Sequence, residues 1–99
     1  MTKSATEYYR KILVRSERML ASAQSGNWEN LVEEAKAYEQ EILGVPPATD
    51  SEMEQCAELI ASILENDEKI KSLVKARMSD LQGALSSVSQ SIKLNQAYR

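Results

Sequence analysis

Carboxylates are the most abundant groups in this chain able to do acid–base or metal chemistry. They lack the partners such chemistry needs. Glu33-Glu34, Glu65, Asp67 and Glu68 could be considered for a di-metal carboxylate bundle, but that site requires Glu-x-x-His motifs on facing helices. The chain has no histidine, which removes the commonest general base and metal ligand and excludes a histidine phosphotransfer bundle. Its one cysteine, Cys56, leaves no tetrahedral Cys/His zinc set and no intramolecular disulfide. There is no phosphate-binding loop, no Gly-rich turn after a strand and no D-x-D-x-D-G calcium loop. The carboxylates read as solvated helical faces. No catalytic, cofactor-binding or metal-binding residue is assigned, and the chain does not read as an enzyme.

Two charges stand where apolar residues belong. Met53, Cys56, Ile60, Ile63, Asp67, Ile70, Val74, Arg77, Leu81, Ala84 and Val88 recur at alternating spacings of three and four, a heptad a/d seam. Only Asp67 and Arg77 interrupt it. They lie about 15 Å apart along one helix, too far to pair with each other. A buried charge needs a partner, so each should meet another helix or sit at the seam's edge, where the long stem of Arg77 can snorkel. Cys56, on the same seam, reads as a buried reduced thiol.

A seam this long fixes the architecture. From Asp50 to Val88 a helix would run about 55–60 Å, and its purpose is to lie against other helices. Ninety-nine residues make one domain (1–99). Hydrophobic content is 42% with no Phe and one Trp, so the core must be aliphatic and thin. A chain this small buries a limited share of its surface, which makes a second copy or a partner a reasonable expectation.

Punctuation divides the chain into three helices and a tail. The first is expected over about 4–25, opened by the Ser4–Glu7 capping box and closed by Gly26 as a left-handed C′ residue. The second, about 27–43, starts at the N-cap Asn27 with Glu29 in its first turn. It carries its own seam, Trp28, Leu31, Ala35, Tyr38 and Ile42, and stops at Gly44-Val45-Pro46-Pro47. The join at 25–27 is so short that these two helices must form an antiparallel hairpin. The third, about 50–85, has two available capping boxes, Thr49 with Glu52 and Ser51 with Glu54. Gly83 and the serine-rich stretch after it could bend or fray it. The tail, about 86–99, is either a short helix folded back or the continuation of the third. The fold class is all-α, an antiparallel bundle of three helices, the third one long, with a short C-terminal helical tail.

Charge is unevenly spread. Residues 1–25 carry five basic and two acidic groups, and residues 26–55 carry one basic and eight acidic. That contrast favours pairing the first two helices along their flanks, though exposed pairs are each worth little. No basic stripe is dense enough for direct nucleic-acid binding. No apolar run approaches a membrane span or the core of a signal peptide, so a cytosolic protein with no membrane insertion is expected.

The hairpin can cover only about half of the third helix, which leaves an apolar stripe from about Leu73 onward for the tail, a second subunit or another protein. An amphipathic client helix needs an apolar trough rimmed by charge, and Met53 and Met78 suit a surface that adapts. The candidate trough takes Leu31, Tyr38 and Ile42 from the second helix. From the third it takes Ile60, Ile63, Leu64, Ile70, Leu73 and Val74, with Arg77 as a polar contact. Some of these must pack internally. Trp28, beside the tight join, reads as a hairpin anchor.

The stretch from Ile63 to Leu81 resembles the FliT family of small flagellar type III export chaperones, whose third helix carries I-L-x-N-(D/E)-x-K-(I/V)-K-x-L-x-x-x-R-M-x-x-L. Upstream, Trp28-x-x-Leu31 followed by Tyr38 is similar to the family's second helix. Ala97-Tyr98 looks like the family's tail, and Tyr8-Tyr9 fits more loosely. The resemblance implies a cytosolic protein without cofactor or catalysis that binds the C-terminal segment of the filament-cap protein FliD through its third helix. It would prevent premature assembly and assist export. It also implies dimerisation through the N-terminal half, contacts with export-apparatus components and, as in enteric members, restraint of the flagellar master transcription regulator.

Two other readings stand beside it. One is a self-associating coiled-coil tether or adaptor without client delivery. The other is a transcription-factor antagonist that leaves the cap protein untouched. The tail's Val88, Ile92 and Leu94 could also dock over the trough as a lid.

Overall fold

Each helix begins and ends where its capping chemistry allows. In a computed structural model, the backbone of residues 4–97 and the side chains of residues 4–83 are described. α1 spans Ala5–Ser25, α2 Trp28–Leu43 and α3 Met53–Ala97. Ser4 caps α1, its hydroxyl accepting from the Glu7 N–H at 3.3 Å. Gly26 ends α1 with φ +76°, a conformation that costs glycine nothing. The N–H of Asn27 then reaches back to the Ser22 carbonyl at 2.8 Å, satisfying a carbonyl the helix leaves open. Asn27 in turn caps α2 by accepting from the Asn30 N–H at 3.2 Å. Gly44 closes α2 at φ −90°, an ordinary conformation, so Pro46 and Pro47 rather than glycine geometry stop that helix.

α3 differs from expectation at both ends. It starts at Met53, not near residue 50, because Asp50–Glu52 form a turn before it, and the first helical bond runs from the Cys56 N–H to the Glu52 carbonyl at 2.9 Å. It does not end near residue 85 but continues as one helix to Ala97, so the tail is a continuation and not a fourth helix folded back. Gly83 and the serines each cost at most about 1 kcal/mol in a helix, and no proline follows to force a break. The side chains of Ala84 and Val88, and those of Ile92 and Leu94 proposed as a lid, lie outside the described residues, as does Tyr98.

The three helices do not form a symmetric bundle. α1 is the spine. Its Thr6 hydroxyl lies 3.7 Å from the Cys56 thiol, and its Ser16 hydroxyl accepts from the Asn66 side-chain amide at 3.0 Å. Both pairs are fifty residues apart, so α1 and α3 run parallel in one constant register. α2 returns antiparallel along α1's other flank, where Asn30 donates to Ser22 at 2.6 Å. Among the described residues, no Cα of α2 comes within 8 Å of a Cα of α3, although both approach α1 that closely. Helices packed ridges-into-grooves sit at interaxial distances of about 8–10 Å, so the side of the molecule between α2 and α3 is left open.

The core is as thin as its composition requires. Met19 and Ala23 of α1 form one buried cluster with Leu31 of α2 and Ile70 of α3, and Leu20, Trp28, Ala35, Tyr38, Leu73 and Val74 pack around it. Trp28, beside the turn, thus anchors the hairpin. Farther along α1, Ala5 and Ile12 are buried, as are Cys56 and Ile63 of α3. The α1–α3 register brings Ser25, where α1 ends, level with Lys75. Beyond that point α3 has no α1 turn beside it. The molecule measures 73 × 21 × 21 Å with a radius of gyration of 20.0 Å, against about 13 Å for a compact chain of this length.

Candidate functional site

The ten residues singled out from sequence separate into three groups. Leu31, Ile63 and Ile70 are buried and serve as core. Tyr38, Ile60, Leu73 and Val74 are half-buried. Ile42, Leu64 and Arg77 are exposed, with Leu64 at 57% next to Ile63 at 5%. Leu64 lies about 100° round the helix from Ile63, a seam position turned towards α1, whereas Arg77 is a seam position beyond the level at which α1 ends.

The open side between α2 and α3 draws these groups together. Its floor is the buried cluster of Met19, Ala23, Leu31 and Ile70, and its walls are the half-buried Ala35, Tyr38, Leu73 and Val74. The stripe then continues past the end of α1 in Met78 and Leu81, both exposed. Ile60 lies farther towards the start of α3, and Ile42 and Leu64 form outer edges.

Charge rims it. Asp67 is half-buried and paired with Lys71 at 3.0 Å, one turn on in the same helix. Its partner is therefore intrahelical, and the seam tolerates the carboxylate because α2 does not close over it. Lys71 also approaches Glu68 at 3.9 Å. The hydrogen bond and charge of Asp67 hold the Lys71 ammonium above its ordinary range. Across the open side, burial and then the field of Asp67 push the Tyr38 phenol up, against the opposing pull of Lys71. Tyr38 thus bridges an apolar wall and a polar rim. Arg77 stands at the exposed edge and makes no ion pair among the described residues.

The flank between α1 and α2 is held by charge. Arg15 donates to Glu34 at 2.6 Å and to Glu41 at 2.5 Å, with a second bond from Nε to Glu41 at 3.1 Å. Hydrogen bonds to Glu41 and Glu34 raise the guanidinium's affinity for its proton still further. One Glu41 oxygen, Oε2, is buried with no hydrogen-bond partner. The basic first helix and acidic second helix meet here, as their compositions suggested.

Sequence reasoning missed one carboxylate. Glu52 accepts from the Thr49 N–H at 3.2 Å and from its hydroxyl at 2.9 Å, which is half of one expected capping box, since the Glu52 N–H goes to the Thr49 carbonyl and not to its hydroxyl. Its other oxygen accepts from the Thr6 N–H and hydroxyl, each at 3.2 Å. One side chain thus ties the starts of α1 and α3 together. The Thr6 N–H, then the Thr49 groups, hold its carboxyl down at about 2. The only hint in sequence was that the first turn of α1 has N–H groups needing acceptors.

Among the described residues, no group of three or more His, Cys, Asp or Glu is placed to hold a metal ion, and no helix is long and apolar enough to cross a membrane.

Comparison with known proteins gives the family. A family model described as "FliT: Flagellar protein FliT" matches residues 6–99. Similar proteins include "Flagellar protein FliT" of Enterobacter sp. (strain 638), 30% identical over 88 residues that cover 84% of this chain and 73% of that one. "Flagellar protein FliT" of Pectobacterium atrosepticum is 28% identical over 96 residues, covering 91% of this chain and 76% of its own length. That of Pectobacterium carotovorum subsp. carotovorum is 27% identical over the same shares.

Proposed function

We propose that this chain, which belongs to the FliT family of flagellar proteins, is a cytosolic chaperone for export of the filament-cap protein FliD. It holds the C-terminal segment of that client on the open side between α2 and α3, keeps it from assembling early and assists its delivery to the type III apparatus. Export-apparatus components and the flagellar master transcription regulator are further partners within the same reading.

One observation carries the proposal. The backbones of α2 and α3 both approach α1 and not each other, so the side chains that meet between them form a charge-rimmed apolar strip with no helix over it. An amphipathic client helix laid there gains contacts through its i, i+3, i+4 and i+7 positions. The strip's floor is already dry, so the gain comes from Ala35, Tyr38, Leu73 and Val74, then from Met78 and Leu81 beyond α1.

The test is calorimetric titration of the full chain with the C-terminal segment of the cap protein from the same organism, at two temperatures. Micromolar or tighter binding with a negative heat-capacity change supports the proposal, because burial of apolar surface produces that sign. No heat at either temperature refutes it.

The self-associating tether is the alternative that the exposed Met78 and Leu81 keep in play. It is weakened by the burial of Ile63 and Ile70 within a single chain, which uses up the first half of the seam. A stable dimer by sedimentation, together with no client binding, would favour it.

A further inference from the structure

A second surface lies on α1, on the side turned away from the strip just described. Arg10, Lys11, Val14, Arg15 and Arg18 of α1, with Glu41 of α2, line an open groove of about 440 Å³. Arg15 is committed to Glu34 and Glu41 and forms a fixed wall. Arg10 and Arg18 are exposed and make no ion pair among the described residues. Glu58 shares a neighbouring depression with Arg10 without pairing to it. Val14, 48% exposed, stands between the two arginines along the helix.

We infer that this groove is a docking site for an acidic segment of a partner protein, one carrying carboxylates about 12 Å apart with an aliphatic side chain between them. The spacing follows from the eight helical steps from Arg10 to Arg18 at about 1.5 Å each. It matches carboxylates four residues apart on an extended segment, at about 3.3 Å per residue. Guanidinium groups suit such a ligand because each can grip a carboxylate through two parallel hydrogen bonds. Val14 supplies the apolar contact between them.

Charge decides what kind of polyanion fits. The chain carries a net −3, and Glu29, Glu33 and Glu39 are exposed on α2 while Glu54 and Glu58 are exposed on α3. A long polyanion such as nucleic acid, or a broad anionic membrane, would meet these as well as the arginines, and both need more cations in a row than this groove offers. A short acidic peptide meets only the groove. The site faces away from the α2–α3 strip, so it is independent of the client-binding proposal, and both surfaces can be occupied at once.

The experiment uses the full chain and a fluorescein-labelled synthetic peptide of repeated Glu-Ser-Leu-Ser, which sets Glu, Leu and Glu at i, i+2 and i+4 on one face of an extended segment, followed by anisotropy at low and physiological salt. Saturable binding that weakens with salt is expected. The double substitution Arg10→Ser with Arg18→Ser should weaken it at least tenfold and Val14→Ala about threefold, with Leu64→Ala leaving it unchanged. Amide shift mapping on the unsubstituted chain should place the perturbed residues on 10–18, which keeps the test sound if a variant unfolds. Equal binding of a lysine–leucine peptide, indifference to the double substitution, shifts confined to the α2–α3 strip, or tighter binding of single-stranded DNA or phosphatidylserine vesicles than of the acidic peptide would each overturn the inference.

Discussion

Ile63 and Leu64 are adjacent on α3, of nearly equal size, and set to opposite tasks by a single step of helical rotation. Truncating each to alanine separates the two tasks. Ile63 is 5% exposed. Ile63→Ala deletes three buried carbons, worth about 0.8 kcal/mol each in transfer alone, and leaves a cavity beside α1 that adds to the cost. The expected loss is about 3 kcal/mol. In a domain of this length that lowers Tm by about 10–25 °C, a large share of the whole stability. Leu64 is 57% exposed, so less than half of the same transfer term applies. Alanine's better helix propensity offsets a little of it, and Leu64→Ala should cost below about 1 kcal/mol. Thermal melts followed by helical circular dichroism measure both, and titration with the cap-protein segment tests the proposed binding. Leu64→Ala should keep its Tm to within a few degrees and bind the client more weakly. A Leu64→Ala protein as destabilised as Ile63→Ala would refute the division of α3 into an α1-facing side and a free one.

Other perturbations report on the frame that holds this surface. Glu52 is held at about 2 in the folded chain against an ordinary 4.5. A depressed carboxyl contributes stability that is fully present above 4.5 and is lost as pH falls towards 2, so Glu52→Gln should lower Tm at pH 7 and flatten the acid limb of a Tm–pH curve over that window. Arg15→Met leaves the half-buried Glu34 and Glu41 without their shared cation. A loss of about 1–2 kcal/mol in urea denaturation is expected, above the usual value of an exposed pair. At Gly26 an added Cβ meets nothing within 4 Å, but φ is +76°, so Gly26→Ala should cost about 1–2 kcal/mol through the backbone alone, read as a lower Tm with an unchanged amide spectrum away from the turn.

Much of this architecture was legible because it depends on local chemistry. Ser4, Gly26 and Asn27 act within a few residues of themselves, and the structure uses each as its type suggests. The α1–α2 hairpin followed from a join too short for anything else. The charge contrast between those helices materialised at Arg15. The end of α3 was harder to read, since glycine and serine weaken a helix by amounts that sequence alone cannot weigh against continuation. The divergence of α2 from α3 was not legible at all. An a/d seam says that a residue is covered, not by which helix, and both seams here are covered chiefly by α1. Hence Leu31, Ile63 and Ile70 belong to the core while Leu64, one step round, stays outside. Glu52 was half legible: its bond to Thr49 is three residues long, and its bond to Thr6 spans forty-six.

The open side of the molecule is a consequence of register. α1 and α3 stay parallel with a fixed offset because two polar pins, Thr6 at Cys56 and Ser16 at Asn66, lie ten residues apart on each helix. α2 is drawn to the opposite flank by Arg15, which needs both of its acidic residues. With its two flanks engaged by helices whose backbones do not meet, α1 has a third side covered only by their side chains. A fourth helix in that position would complete a bundle with helices at ordinary packing distances. α3 does not turn back to provide one but runs straight to Ala97. Under the proposed function, an amphipathic helix of the client takes that place. Its expected footprint runs from Tyr38 and Asp67, past Leu73 and Val74, to Met78 and Leu81. Substituting Met78 and Leu81 together by serine should therefore weaken the client and leave Tm unchanged, because no turn of α1 stands beside them. A fall in Tm instead would mean that these residues already pack within the chain and that the strip ends where α1 does.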